Sequence, residues 1–243
     1  MVDKWSDKYK EIAAEFGYNM RLDYEAGIIL NSILETIPEK KMASLITGNT
    51  VFVIGAGTSL DASMPILKKW NGIIRIAADS AAKPLLESGI VPDVVVTDLD
   101  GDADSLKRCG RRGAILVVHA HGDNISRLHL AAGFGRCMGT TQSRSYGHIR
   151  NFGGFTDGDR AVFLASHFRA KRIILLGMDY NGVVGRLSGT RKADVKTKLK
   201  KLARSKKILE WFSDRTRTEL LTTSTPIRGF RQIKYKDIAN VSS

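Results

Sequence analysis

The sequence predicts an α/β protein: a Rossmann-like, mostly parallel sheet with helices on both faces, an N-terminal helical extension and a basic C-terminal helix. Three observations carry this expectation. From Thr50 onward, short β-branched runs alternate with helix-length amphipathic segments, the pattern of parallel strands joined by crossover helices. Two of the runs stop at turns rich in glycine or aspartate, Gly55-Ala56-Gly57 and Asp98-Leu99-Asp100, as strands do at the carboxyl edge of such a sheet. Finally, Arg186 to Arg217 holds 12 Lys or Arg against three acids, Asp194, Glu210 and Asp214, a net +9 of the chain's +13.

The elements follow in order. Through about Thr47 the pattern is helical, with Ile28, Ile29, Ile33, Leu34 and Ile37 forming an apolar stripe that Pro38 breaks. Strands are expected at Val51 to Ile54, Ile73 to Ala77, Val94 to Thr97, Ala114 to Val118 and Arg172 to Leu176, with a weaker one at Cys137 to Thr141. A long helix spans about Ala193 to Thr216; Val195, Leu199, Leu202, Leu209 and Phe212 give it an apolar stripe, and Lys192, Lys196, Lys200 and Arg204 recur every four residues on another face. The tail, with Pro226 and Gly229, is irregular or adds an edge strand near Gln232 to Tyr235. Three regions result: helical residues 1–47, an α/β catalytic domain at 48–185, and the basic helix and tail at 186–243, packed on that domain.

Composition narrows the class. A chain of 243 residues with 43% hydrophobic content can bury one substantial core. Its longest apolar runs fall well short of the roughly 18 residues of a membrane span. The start, Met1 to Lys8, has no apolar leader, and Cys109 and Cys137 make no disulfide framework, so a soluble, cytoplasmic protein with free thiols is expected. The positive charge implies an anionic partner: a polyphosphate ligand, nucleic acid or an anionic surface. Little aromatic interleaving accompanies the lysines, which weakens single-strand nucleic-acid binding.

The acidic turn is the richest in chemistry. On an extended backbone Asp98 and Asp100 would project to one face, and two such charges repel unless a cation intervenes. Mg²⁺ suits one or two carboxylates and completes its shell with water and phosphate oxygens; the plainer alternative is an Asp-rich turn that caps the next helix. Val51 to Leu60 is a strand running through Gly55 and Gly57 into a helix, a form that aims N–H groups at an anion, with Ser59 or Thr58 as a simple cap otherwise. It lacks a Walker ending, and Leu60 stands where a dinucleotide fingerprint has its third glycine. Asp79, about 20 residues on, could serve a nicotinamide ribose, but then Asp98 and Asp100 have no role, so it reads better as another acid on the sheet edge.

His119-Ala120-His121-Gly122-Asp123-Asn124 has metal-ligand spacing and is similar to a motif of metallo-β-lactamase hydrolases, but Asn124 replaces the final His. A Mg²⁺ or phosphate contact from Asp123 fits better, and the two histidines have a structural reading. Thr156-Asp157-Gly158-Asp159-Arg160 opens a helix whose dipole the acids favour, and this turn and Gly177-Met178-Asp179 both fall near the carboxyl edge, where a carboxylate could recognise the donor edge of a heterocycle.

Taken together, Gly55 to Leu60, Pro92 to Gly101, His119 to Asn124, Thr156 to Ala161 and Gly177 to Asp179 resemble the archaeal 6-hydroxymethyl-7,8-dihydropterin pyrophosphokinase family over about residues 20–215. The acidic turn is also similar to that of thiamine pyrophosphokinases. Thr58 departs from the proline expected there, yet can cap the same helix. The resemblance implies transfer of diphosphate from ATP to a reduced pterin, releasing AMP, for a methanopterin- or folate-type C1 carrier. On that reading Asp98 and Asp100 hold Mg²⁺, and Asp123 adds a ligand or orients the hydroxyl. Gly55, Gly57 and Ser59 hold phosphate oxygens, with Asp79 in the nucleotide site, and Lys192, Lys196 and Lys200 close over the triphosphate. Asp157, Asp159, Asp179, His121 and Asn124 face the substrates. A homo-oligomer is compatible with this. The rivals are a sugar-nucleotide-dependent transferase and a basic nucleic-acid-binding domain.

Overall fold

The computed structural model describes residues 4–35 and 38–241. Its centre is a nine-stranded sheet in the order β6-β5-β4-β3-β2-β1-β7-β8-β9, every ladder of which is parallel. In chain order the helices and strands are α1 (Trp5–Phe16), α2 (Met20–Ile33), α3 (Glu39–Ile46), β1 (Thr50–Ile54), α4 (Leu60–Lys69), β2 (Ile74–Ala78), α5 (Asp79–Glu87), β3 (Val94–Thr97), α6 (Ala103–Arg111), β4 (Ile115–Ala120), β5 (Cys137–Thr141), β6 (Ile149–Arg150), α7 (Asp157–His167), β7 (Arg172–Leu176), α8 (Val195–Ser213), β8 (Glu219–Thr222) and β9 (Arg231–Gln232). The chain lays β1 to β6 outward in one direction, then returns to set β7 on the other side of β1. That reversal opens a crevice at the carboxyl ends of β1 and β7.

Strand alternation sorts the core. Val51, Val53, Val94, Val96, Ile115, Val117, Ile173 and Leu175 pack on one face with residues of α1, α3, α7 and α8. Phe52, Ile54, Ile174 and Leu176 turn to the other face against α4 and α5, while Val95, Leu116 and Val118 meet α2 and α6. Both faces of the central strands are buried, which is why those runs read as continuously apolar. An aromatic chain, Trp5 to Phe163 at 5.3 Å and Phe163 to Phe212 at 4.1 Å between centroids, binds α1, α7 and α8 into one layer.

The N-terminal segment differs from its expected stripe. Gly17, at φ 71°, ends α1, and the Asn19 side chain caps α2, so the segment is three helices. The inward face of α2 is Asp23, Ala26, Gly27 and Leu30, whereas Ile28 and Ile29 are 47% and 38% exposed. Small residues decide which face turns in: a Cβ on Gly27 would lie 2.6 Å from the Tyr146 hydroxyl, so only this side permits so close an approach. Ile37 lies outside the described residues. Among the described residues, no helix is long and apolar enough to cross a membrane.

Candidate active site

A cleft of about 1110 Å³, counting space open at its mouth, runs along the carboxyl edge of the sheet. At its centre Asp79, Asp98, Asp100 and Asp157 each offer a carboxylate oxygen, all within 4.8 Å of one another. They come from four places: the start of α5, the two ends of the turn after β3, and the first residue of α7.

The turn after β3 is not extended. The strand ends at Thr97, and Leu99 takes a left-handed conformation, φ 67°, that costs a branched side chain of this kind roughly 1 kcal/mol or more. Two contacts hold it there: the Leu99 side chain is buried in the core, and its N–H donates to the Thr97 hydroxyl at 2.7 Å. Asp98 and Asp100 therefore converge because the backbone turns, and the strand pleat has no part in it. Asn124 braces the same turn, its amide donating to the carbonyls of Asp98 and His119, both at 2.7 Å.

Four acids this close raise one another. Burial, then the charges of Asp100 and Asp98, push Asp79 up to about 7 against the bonds it accepts from Thr97 and Gly101. Burial and the Asp98 charge lift Asp100 to about 6, and the same causes hold Asp157 well above the ordinary carboxylate range. Asp98 goes the other way. Burial opposes it, but the polar approach of His121 and the Arg160 charge keep it below the usual range. His121 Nε2 lies 3.6 Å from Asp98, and its Nδ1 accepts from the Asp123 N–H, so the ring presents its Nε2 side to the carboxylate. Arg160, beneath the cluster, pairs with Asp157 at 3.1 Å.

A divalent cation fits this donor set. One oxygen of Asp79 and one of Asp98 are buried with no hydrogen-bond partner, and hard oxygen donors at this spacing suit Mg²⁺.

The glycine turn is built differently from a phosphate cradle. The N–H of Gly55 donates to Leu176 O, that of Gly57 to Gly177 O at 2.7 Å, and that of Ser59 to the Asp179 carboxylate at 2.8 Å. Asp179 thus occupies the helix N-terminus that an anion would take. The glycines serve close packing instead: a Cβ on Gly55 would lie 2.7 Å from Gly177 O, and one on Gly57 2.6 Å from it. Gly55 and Gly57 still form part of the cleft wall.

A family model described as 6-hydroxymethylpterin diphosphokinase MptE-like matches residues 30–182. The chain belongs to this family. A relative from Methanocaldococcus jannaschii, named 6-hydroxymethyl-7,8-dihydropterin pyrophosphokinase, is 40% identical over 238 residues, covering 90% of this chain and 99% of its own. One of the same name from Pyrococcus furiosus is 40% identical over 232 residues, with 91% and 98% covered. Among solved structures, the MAf glycosyltransferase of Magnetospirillum magneticum superposes with a TM-score of 0.52 at 14% identity, over 87% of this chain and 39% of that one. That likeness speaks to the fold alone.

Within this family member, the residues singled out from sequence fall into two groups. Asp79, Asp98, Asp100 and Asp157 come together; His121 and Asp179 line the same cleft. Asp123 points away, its side chain 69% exposed, and Asn124 is an internal brace. Asp159 is fully buried and accepts from the N–H groups of Phe155 and Thr156 and from the Thr156 hydroxyl, so it caps α7 and does not line the cleft. The Thr-x-x-Asp spacing of a capping box carried that distinction between Asp157 and Asp159 in the sequence.

Lys192, Lys196 and Lys200 do not line the cleft. Lys200 donates to the Glu15 carbonyl and lies 4.4 Å from the centre of the Phe16 ring, and Arg204 pairs with Glu11, so these two members of the stripe dock α8 on α1. The cations facing the acids are Lys198 and Lys201. Their signal was the spacing 198, 201, 205, 208, 212, which continues the buried side of α8 outward into the cleft.

Proposed function

We propose that this cleft transfers the terminal diphosphate of ATP to the hydroxymethyl group of 6-hydroxymethyl-7,8-dihydropterin, with AMP as the other product. The observation that carries the reading is the four-carboxylate cluster with its two unpartnered oxygens, faced by Lys198 and Lys201. Kinship with pyrophosphokinases of nearly the same length supports the substrates.

In this reaction the substrate hydroxyl oxygen bonds to the β-phosphorus, the bond from that phosphorus to the α-bridging oxygen breaks, and the hydroxyl proton passes to a carboxylate of the cluster. Such transfers depend on alignment and charge neutralisation more than on covalent assistance. Asp98, Asp100 and their two neighbours, Asp79 and Asp157, would hold Mg²⁺, which would supply charge neutralisation at the phosphate oxygens. Lys198 and Lys201 add positive charge from α8, and His121 Nε2 faces Asp98 from 3.6 Å. Asp179 locks the glycine turn to the β7 turn and so fixes the wall against which the nucleotide lies.

The test is incubation with ATP, Mg²⁺ and the reduced pterin, with AMP resolved from ADP. AMP that forms only when the pterin is present supports the reading; ADP, or no nucleotide turnover, overturns it.

A further inference from the structure

Past the acids, the cleft continues toward the β4 and β5 ends of the sheet, into a recess that phosphate transfer leaves unexplained. Gln142, the residue after β5, lies there with Asp23 of α2, and Tyr9, Tyr18 and Phe155 complete its wall. Gln142 is only 7% exposed, and its side-chain oxygen has no hydrogen-bond partner. A buried amide atom left unpaired is costly, and folded proteins keep few of them. Asp23 is buried too, accepting from the Gly122 N–H at 2.9 Å with one oxygen and from the Tyr9 hydroxyl with the other. A carboxylate has about four lone-pair sites, so each oxygen can take one donor more.

We infer that this recess binds the 2-amino-4-oxo edge of the heterocycle, Gln142 pairing with the ring lactam and Asp23 with the exocyclic amino group. The inference rests on the pyrophosphokinase reading. A primary amide offers one donor and one acceptor side by side, the complement of a lactam C=O and N–H, and an ionised carboxylate accepts only, the complement of an amino group. Adenine can satisfy the amide but gives the carboxylate no donor. Tyr18 and Phe155, with ring centres 6.2 Å apart, offer aromatic surface for a flat ring. The order along the sheet edge agrees: the recess lies at β4 and β5, the acids at β2 and β3, and the glycine wall at β1 and β7. Heterocycle and triphosphate then approach the acids from opposite sides, as in-line transfer requires.

Gln142→Met keeps the side-chain length and removes both hydrogen-bonding atoms. Calorimetric titration should show the dissociation constant for 6-hydroxymethyl-7,8-dihydropterin rising at least about tenfold, and that for a non-hydrolysable ATP analogue unchanged within about twofold. The KM values should split the same way. Gln142→Glu, which replaces the donor by an acceptor facing the lactam oxygen, should bind the pterin no better. Weakening of the ATP analogue in place of the pterin, or of neither, overturns the assignment. Should the variants fold poorly, hydrogen exchange on the wild type decides: the pterin alone should slow exchange around Thr141 to Ser143 and Gly122, and protection of these amides by the ATP analogue alone overturns the inference. A wild-type enzyme that binds the pterin yet releases no AMP would sink the pyrophosphokinase reading only, whereas normal AMP release with an indifferent Gln142→Met would sink the recess only.

Discussion

Replacing Asp79 by Asn should stabilise the metal-free protein at pH 8 and take away its response to Mg²⁺. Asp79 is 3% exposed, one of its oxygens has no partner, and burial with the charges of Asp100 and Asp98 carries its pKa from 3.8 to about 7. A rise of that size is worth about 4 kcal/mol at 1.36 kcal/mol per pH unit. Between those two pH values the folded chain holds a proton that the unfolded chain has released. This acid's contribution to stability is therefore intact below pH 3.8 and declines as pH climbs to about 7. Asparagine removes the charge, and its amide oxygen can still accept from the Thr97 hydroxyl and the Gly101 N–H. If rearrangement of the neighbouring acids recovers half of the cost, a gain of about 2 kcal/mol is left, or about 4–8 °C in Tm for a chain of this size. Thermal unfolding in EDTA at pH 5 and pH 8, repeated with Mg²⁺, measures all of it. The variant should melt higher than wild type in EDTA at pH 8, by less than half as much at pH 5, and gain little from Mg²⁺, which should lift the wild type at pH 8. A variant that melts at or below wild type in EDTA at pH 8, or an equal Mg²⁺ response in both proteins, would refute the reasoning.

Other expectations follow from the same geometry. Asp98→Asn and Asp100→Asn should each cut Mg²⁺-dependent turnover by at least about two orders of magnitude with far-UV circular dichroism unchanged; wild-type rates in either would remove the metal assignment. Lys201→Met should raise the KM for ATP about tenfold or more, while Lys196→Met, at an exposed position outside the cleft, should leave it alone, and equal effects would contradict the orientation of α8. Gly57→Ala forces a methyl group toward the Gly177 carbonyl and the Asp179 carboxylate and should cost about 1–3 kcal/mol in denaturant unfolding, so an unchanged midpoint would show that the turn relaxes freely.

Much of the architecture was legible because it is written in local periodicity. The runs at Val51, Val94 and Ile115 are apolar throughout since both faces of a central parallel strand are covered, and the structure places strands there. Asp98 and Asp100 stood out because two acids one residue apart at the end of a β-branched run repel unless a cation intervenes. The stripe on α2 was misjudged on hydrophobicity alone: Ile28 and Ile29 are larger, but Ala26 and Gly27 fit the space against β5 and Tyr146. On α8 the regular four-residue repeat of lysines drew attention to the face that docks on α1, and the cleft received Lys198 and Lys201 instead.

By itself, then, the chain's order of residues determined the strands, the helices and the acidic turn, since each depends on neighbours a few positions away. Only the tertiary structure decided that Asp79 and Asp157 join Asp98 and Asp100, that Asp179 fills the end of α4, and that Asp23 and Gln142 share a recess. Those meetings depend on the order of strands in the sheet and on the reversal that sets β7 against β1, and residues 19 to 120 positions apart leave no periodic trace of them in the sequence.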